Sequence, residues 1–110
     1  MADLACDLGA LTPEERNRRA TLASRVTARF REVRETADGY AARLDPDPAL
    51  VRDAFEWTQL EHRCCPFFRL ELRFEPAPGP VWLTFGGEPG VKDFLAAAGL
   101  RASASCGEQC

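Results

Sequence analysis

At 110 residues and 12.2 kDa the chain is long enough for one hydrophobic core and too short for two. With 45% hydrophobic and 28% charged residues it reads as globular, not disordered. A net charge of −3 and a pI near 5.2 argue against a general nucleic-acid binder, and no apolar run approaches the roughly 18 to 20 residues needed to cross a bilayer.

In chain order, residues 1–11 read as an extended arm holding Cys6, and the first eleven residues, with two acids and no basic stretch, do not read as a secretory signal. Thr12-Pro13-Glu14-Glu15 is a helix start: threonine caps, proline takes the first helical position, and Glu15 completes a capping box. Leu22, Ala23, Val26 and Phe30 recur at helical spacing, which predicts a helix over about 13–29. Strands are predicted at about 31–36 and 40–44, although the same charged segment could extend the helix to Glu35. Asp38-Gly39 between them reads as a two-residue hairpin turn whose central positions favour positive φ.

Asp47 and Pro48 cap and open a second helix. Its buried stripe is Leu50, Ala54, Trp57, Leu60 or Glu61, and Cys64, with Val51, Phe55 and Thr58 beside it. Pro66 stops it and disfavours helical dihedrals at Cys65. Phe68, Leu70, Leu72 and Phe74 then alternate with Arg69, Glu71, Arg73 and Glu75, a strand with one apolar and one charged face. The Pro76–Pro80 segment is a stiff connection, and Val81, Leu83 and Phe85 form the returning strand, with Trp82 and Thr84 on its other side. A short helix over about 89–98 turns Val91, Phe94, Leu95 and Ala98 inward and closes at Gly99. Residues 101–110 read as a small, polar, mobile tail. The expected fold is α+β, in the order α-ββ-α-ββ-α: one domain over residues 12–100, its four-stranded, mainly antiparallel sheet covered by helices on one face.

Five cysteines are many for a chain with no sign of secretion. In a reducing cytoplasm, thiols more often bind soft metals or do redox chemistry than form cystines, and an odd count fits poorly with a closed disulfide framework. Cys64 and Cys65 lie at the helix exit, and Cys6, Cys106 or Cys110 could each supply a third sulfur. The C-x-x-C pairs of zinc fingers are absent, and adjacent cysteines suit ions content with two or three thiolates, such as Hg(II), As(III) or Cu(I). Against this, Cys64 could be a small core hydrophobe and the tail cysteines incidental. The negative end of the helix dipole opposes the effect of Arg63 and His62, so local sequence predicts no unusually acidic thiol.

His62, the single histidine, reads as solvent-facing rather than a ligand, and Glu61, one turn before the cysteines, could tune a thiol or pair with an arginine. Seven arginines, Arg16, Arg18, Arg19, Arg25, Arg29, Arg31 and Arg34, with Glu14, Glu15, Glu32 and Glu35 between them, read as a solvated, ion-paired face. Trp82 on the outside of the hairpin suggests a surface for a homodimer. There is no phosphate-binding glycine loop, Ser-His-Asp order or C-x-x-C redox dithiol.

The stretch Glu61-His62-Arg63-Cys64-Cys65-Pro66-Phe67-Phe68, together with Gly79-Pro80-Val81-Trp82-Leu83 and Gly90-Val91-Lys92-Asp93-Phe94-Leu95, resembles a family of small bacterial proteins. Its members carry an E-x-x-C-C-P-F pattern and an early cysteine before a T-P-E-E-R-like helix start, here Cys6 and Thr12 to Arg16. The resemblance covers nearly the whole chain except the tail. The family has no settled activity; its occurrence among mercury or arsenic resistance genes implies thiol binding of a toxic ion. The expected function is therefore capture of a soft ion by Cys64 and Cys65 with a third thiol, for buffering, delivery or resistance. The alternatives are a cysteine-based redox sensor or oxidoreductase, and an interaction domain with structural cysteines.

Overall fold

The computed structural model describes residues 4–103. A 3-10 turn, Leu8–Ala10, leads into α1, Pro13–Thr27. There follow β1, Glu32–Glu35; β2, Tyr40–Leu44; α2, Pro48–Cys64; β3, Arg69–Phe74; β4, Val81–Gly86; and α3, Val91–Ala97. The α-ββ-α-ββ-α order read from the sequence is the order observed. The four strands form one antiparallel sheet in the order β1-β2-β4-β3. Two sequence-adjacent hairpins are thus joined through their second strands, and α2 carries the chain across.

The helix starts follow from local chemistry. The Thr12 hydroxyl accepts from the Glu15 N–H at 3.1 Å, while Glu15 Oε1 accepts from the Thr12 N–H at 2.9 Å. Asp47 accepts from the Leu50 N–H at 3.0 Å, and Pro48 occupies the first turn. The first helix stops at Thr27 and does not run on to Glu35. The Arg31 N–H donates to the Arg43 carbonyl at 2.8 Å, which starts the sheet.

The Asp38-Gly39 turn departs from expectation. Glu35 faces Tyr40, so residues 36–39 make a longer loop, and Gly39 has no positive φ. Glycine is required there for another reason: a Cβ would clash with the Phe85 carbonyl oxygen of β4. Asp38 instead holds Arg69 of β3 at 2.7 Å across the sheet end.

The core lies between the helices and one face of the sheet. Leu22 and Val26 of α1 meet Leu50, Ala54, Trp57 and Leu60 of α2 over Tyr40, Leu44, Val81, Leu83 and Phe85. Val91 and Leu95 of α3 close one end. The arginines of α1 hold it to α2: Arg18 to Glu56 at 2.8 Å, Arg25 to Asp53 at 2.8 Å and Arg19 to Glu61. The acids come mostly from the neighbouring helix and not from the interleaved glutamates. The first two pairs are largely exposed, so solvent screens them and they add little stability, whereas Arg19–Glu61 is mostly buried.

On the opposite face Trp82 is not the exposed side chain its position suggested. It is 7% exposed, and the Arg34 guanidinium lies 4.7 Å from its ring centroid. The reason the sequence offered for a homodimer through the hairpin face is thereby removed. On that hairpin the exposed large apolar side chain is Phe74, at the end of the edge strand β3. The beginning of the tail is also held. Ser103 donates its N–H to the Val33 carbonyl and accepts the Val33 N–H on its hydroxyl, both at 2.7 Å, which covers part of the free edge of β1.

Candidate thiol site

The end of α2 brings the cysteines together. Cys64 is its last residue and Cys65 its C-cap, whose N–H donates to the Glu61 carbonyl at 2.7 Å. Pro66 prevents further helix, and the Phe68 N–H turns back to the Cys65 carbonyl at 3.1 Å. The N-terminal arm then lies against this exit. The Asp7 N–H donates to the Cys64 carbonyl at 2.7 Å, Leu11 is buried, and Arg63 holds both the Ala10 carbonyl and Glu15.

Cys6 is thereby delivered to Cys65, and the two form a disulfide with Cα atoms 4.6 Å apart. This corrects the expectation of five reduced thiols. An arm pinned at Asp7 and Leu11 puts one remote sulfur within bonding reach, so an odd cysteine count does not prevent a closed pair. Cys64 is the free cysteine among the described residues; it is fully buried, its Sγ 3.6 Å from Cys65 Sγ.

Glu61 completes the cluster. It is 5% exposed, and its Oε2 accepts from Trp57 Nε1 at 2.8 Å. Arg19 Nη2 donates to Oε1 at 3.3 Å; Arg19 Nε lies 3.0 Å from Oε2 but is not aligned for a hydrogen bond, so that contact is an ion pair. One ligating atom each from Cys6, Glu61, Cys64 and Cys65 fall within 4.8 Å of one another. Burial pushes the Cys64 thiol above its ordinary pKa; Arg19 opposes that rise and Glu61 adds to it.

These separations fit a shared ion. Two thiolate bonds of about 2.3 Å meeting at a tetrahedral angle place sulfurs about 3.8 Å apart, close to the 3.6 Å between Cys64 and Cys65. Adjacency of the two cysteines is therefore no obstacle to a common ligand. The Cys6–Cys65 bond must first be opened by two electrons, and three thiols then face one point.

Of the residues singled out from sequence, Cys6, Cys64 and Cys65 come together, joined by Glu61. His62 is exposed and borders a different groove with Thr58, Gln59 and Arg69. Cys106 and Cys110 lie outside the described residues. Sequence reading missed Arg19 and Trp57. Trp57 stands four residues before Glu61 on the same helical face, a spacing at which an indole N–H can reach a carboxylate, so a signal existed. Arg19 gave none, being one of many arginines on its helix.

Beside the sulfurs lies a cavity of about 540 Å³, open to solvent on one side. Cys6, Arg19 and Glu61 border it at one end, and Phe30, Trp57, Phe68, Phe85 and Phe94 supply much of its wall. Phe68 and Phe94 meet edge to face at 5.9 Å, and Trp57 packs 5.5 Å from Phe85.

The site and fold together define a small α+β protein in which a partly buried Cys6 meets the buried Cys64, Cys65 and Glu61. No protein-family model, curated protein or solved structure matches the chain. Among the described residues no helix is long and apolar enough to cross a membrane.

Proposed function

We propose that the chain binds one soft metal or metalloid ion, of the As(III), Hg(II) or Cu(I) type, through Cys6, Cys64 and Cys65 once the Cys6–Cys65 disulfide is reduced. It does so as a buffering, delivery or resistance protein of the cytoplasm. The observation that carries this reading is the convergence of those three sulfurs and Glu61 within 4.8 Å, all but Cys6 buried.

Charge selects among ions. Glu61 is already neutralised by Arg19, so any further net charge at this depth is costly. As(III) with three thiolates, or Hg(II) with two, is neutral, and these are the preferred cargoes. The resemblance of the Glu61–Phe68 stretch to small proteins that occur among heavy-metal resistance genes points the same way. Cys106 and Cys110, outside the described residues, enter the same proposal only as further thiols for the ion.

The test is anaerobic titration of the reduced chain with arsenite or Hg(II). One equivalent of either should raise ultraviolet thiolate-to-metal absorption; Hg(II) should also release protons, whereas with arsenite each thiol proton leaves with a hydroxide as water. A Cys64→Ser/Cys65→Ser variant should lose both signals; retention of both in that variant would overturn the assignment.

A second reading is thiol–disulfide exchange, favoured by the 3.6 Å between the free Cys64 sulfur and Cys65. Attack of Cys64 thiolate on Cys65 Sγ forms a Cys64–Cys65 bond, breaks the Cys6–Cys65 bond and leaves Cys6 as thiolate, with no net oxidation. Alkylation of the oxidised chain followed by peptide mapping decides it. Label on Cys6 supports exchange, and label on Cys64 with an intact Cys6–Cys65 peptide opposes it.

A further inference from the structure

Resting on the soft-ion reading, we infer that the cargo is a soft centre carrying one apolar organic group, an aryl- or alkyl-arsenic(III) or organomercury(II) species. The metal or metalloid would sit on the sulfurs and its carbon substituent in the aromatic cavity.

A bare ion at the cluster needs no cavity beside it, yet one of about 540 Å³ opens there. An apolar cavity of about 150 Å³ is enough to hold benzene, and pockets of about 300–1,000 Å³ are typical of small-molecule sites. Cys6 is the sulfur that borders this space; Cys64 and Cys65 are fully buried behind it. A centre held through Cys6, alone or with one of the buried sulfurs, therefore turns its remaining bond toward Trp57, Phe68 and Phe85. The buried carboxylate at that end is already engaged: Glu61 accepts from Trp57 Nε1 and pairs with Arg19. What the wall offers a newcomer is chiefly apolar contact.

The chemistry balances without oxidation of the cargo. The Cys6–Cys65 bond is first opened by a low-molecular-weight thiol reductant, two equivalents of which leave as their disulfide. An arsenic(III) dihydroxide bearing one organic group then exchanges its two As–O bonds for two As–S bonds. Each thiol proton departs with a hydroxide as water. The product is neutral, as the buried Glu61–Arg19 pair requires. The organomercury case exchanges one Hg–O bond for one Hg–S bond in the same way.

The experiment uses the full-length chain with Cys106→Ser and Cys110→Ser, reduced and desalted under anaerobic conditions. Affinities for phenylarsine oxide and for arsenite are measured by competition against dithiothreitol. The expected preference for the aryl species is at least ten-fold greater than that of a free dithiol. Filling the cavity by Ala23→Trp, or at its exposed rim by Ala98→Trp, should remove that excess and leave arsenite affinity within about two-fold. Near-ultraviolet circular dichroism identifies which of the two variants retains the fold. Arsenite binding with no aryl excess, or with an aryl excess that a folded, filled variant keeps, overturns the inference and leaves the soft-ion reading standing. Failure to bind either compound overturns both.

Discussion

The backbone N–H of Asp7 donates to the carbonyl of Cys64 at 2.7 Å, and this bond sets Cys6 against Cys65. With buried Leu11 and the Arg63 bond to the Ala10 carbonyl it docks the N-terminal arm on the end of α2; without that docking the cluster would contain two sulfurs, not three. Cys6→Ser in the reduced chain should therefore weaken arsenite binding by at least about 100-fold, since a lost ligand exceeds the 10- to 100-fold effects typical of outer-shell changes. Hg(II), content with two sulfurs, should lose far less. Competition titrations of both ions on the same variant check the difference, and equal losses would contradict it.

The disulfide joins residues 59 apart in sequence, a long loop for a chain of this size. Closing such a loop restricts the unfolded chain and stabilises the folded one by about 2 to 4 kcal/mol. Urea unfolding with and without reductant should show an unfolding free-energy difference of that size, read as a shift in midpoint. The shift should vanish in Cys6→Ser.

Glu61 is the buried anion that Arg19 balances and Trp57 satisfies. Glu61→Gln leaves the Arg19 charge uncompensated and should cost about 1 to 3 kcal/mol, below the range for breaking a fully buried pair because Arg19 is partly exposed. Arg19→Met combined with Glu61→Gln should recover part of the loss. Urea denaturation of the three variants measures the coupling.

Glu15 gives the fold an acid dependence. Arg63, and then the Thr12 N–H, hold its carboxyl at about 2 against an ordinary 4.5. The stabilisation it adds is fully present above pH 4.5 and is lost as pH falls from there through about 2. Asp38, Glu32, Asp45 and Glu56 are lowered by their own arginines and act in the same direction. The Glu15 share is therefore read as a difference: the stability gap between the native chain and Glu15→Gln should close in that window.

Gly39 meets β4 so closely that any Cβ requires the Phe85 backbone to move. Gly39→Ala should destabilise by about 1 to 3 kcal/mol, as overpacked sites do. Thermal unfolding should show the drop even though the position has no positive φ.

Much of this architecture was legible because it is local. The capping box at Thr12, the proline-led start of α2, and the alternation of Tyr40, Ala42 and Leu44 each encode one element through nearest neighbours. Even the stripe Leu50, Ala54, Trp57, Glu61 and Cys64 announced which face of α2 is buried. What the sequence concealed depends on contacts between distant segments. The partner of Cys65 is chosen by a backbone hydrogen bond from Asp7, and backbone groups carry no sequence signature. The Arg34 guanidinium covers Trp82 from a strand nearly fifty residues away, so the indole read as exposed. Ser103 completes an edge hydrogen-bond pattern that any residue with a small hydroxyl could provide, and its segment therefore read as loose.

The most direct measurement is X-ray absorption at the arsenic edge on the reduced, arsenite-loaded chain bearing Cys106→Ser and Cys110→Ser. Three sulfur neighbours at about 2.3 Å are predicted, falling to two in Cys6→Ser. Oxygen neighbours in place of sulfur, or a coordination shell indifferent to Cys6, would contradict the account.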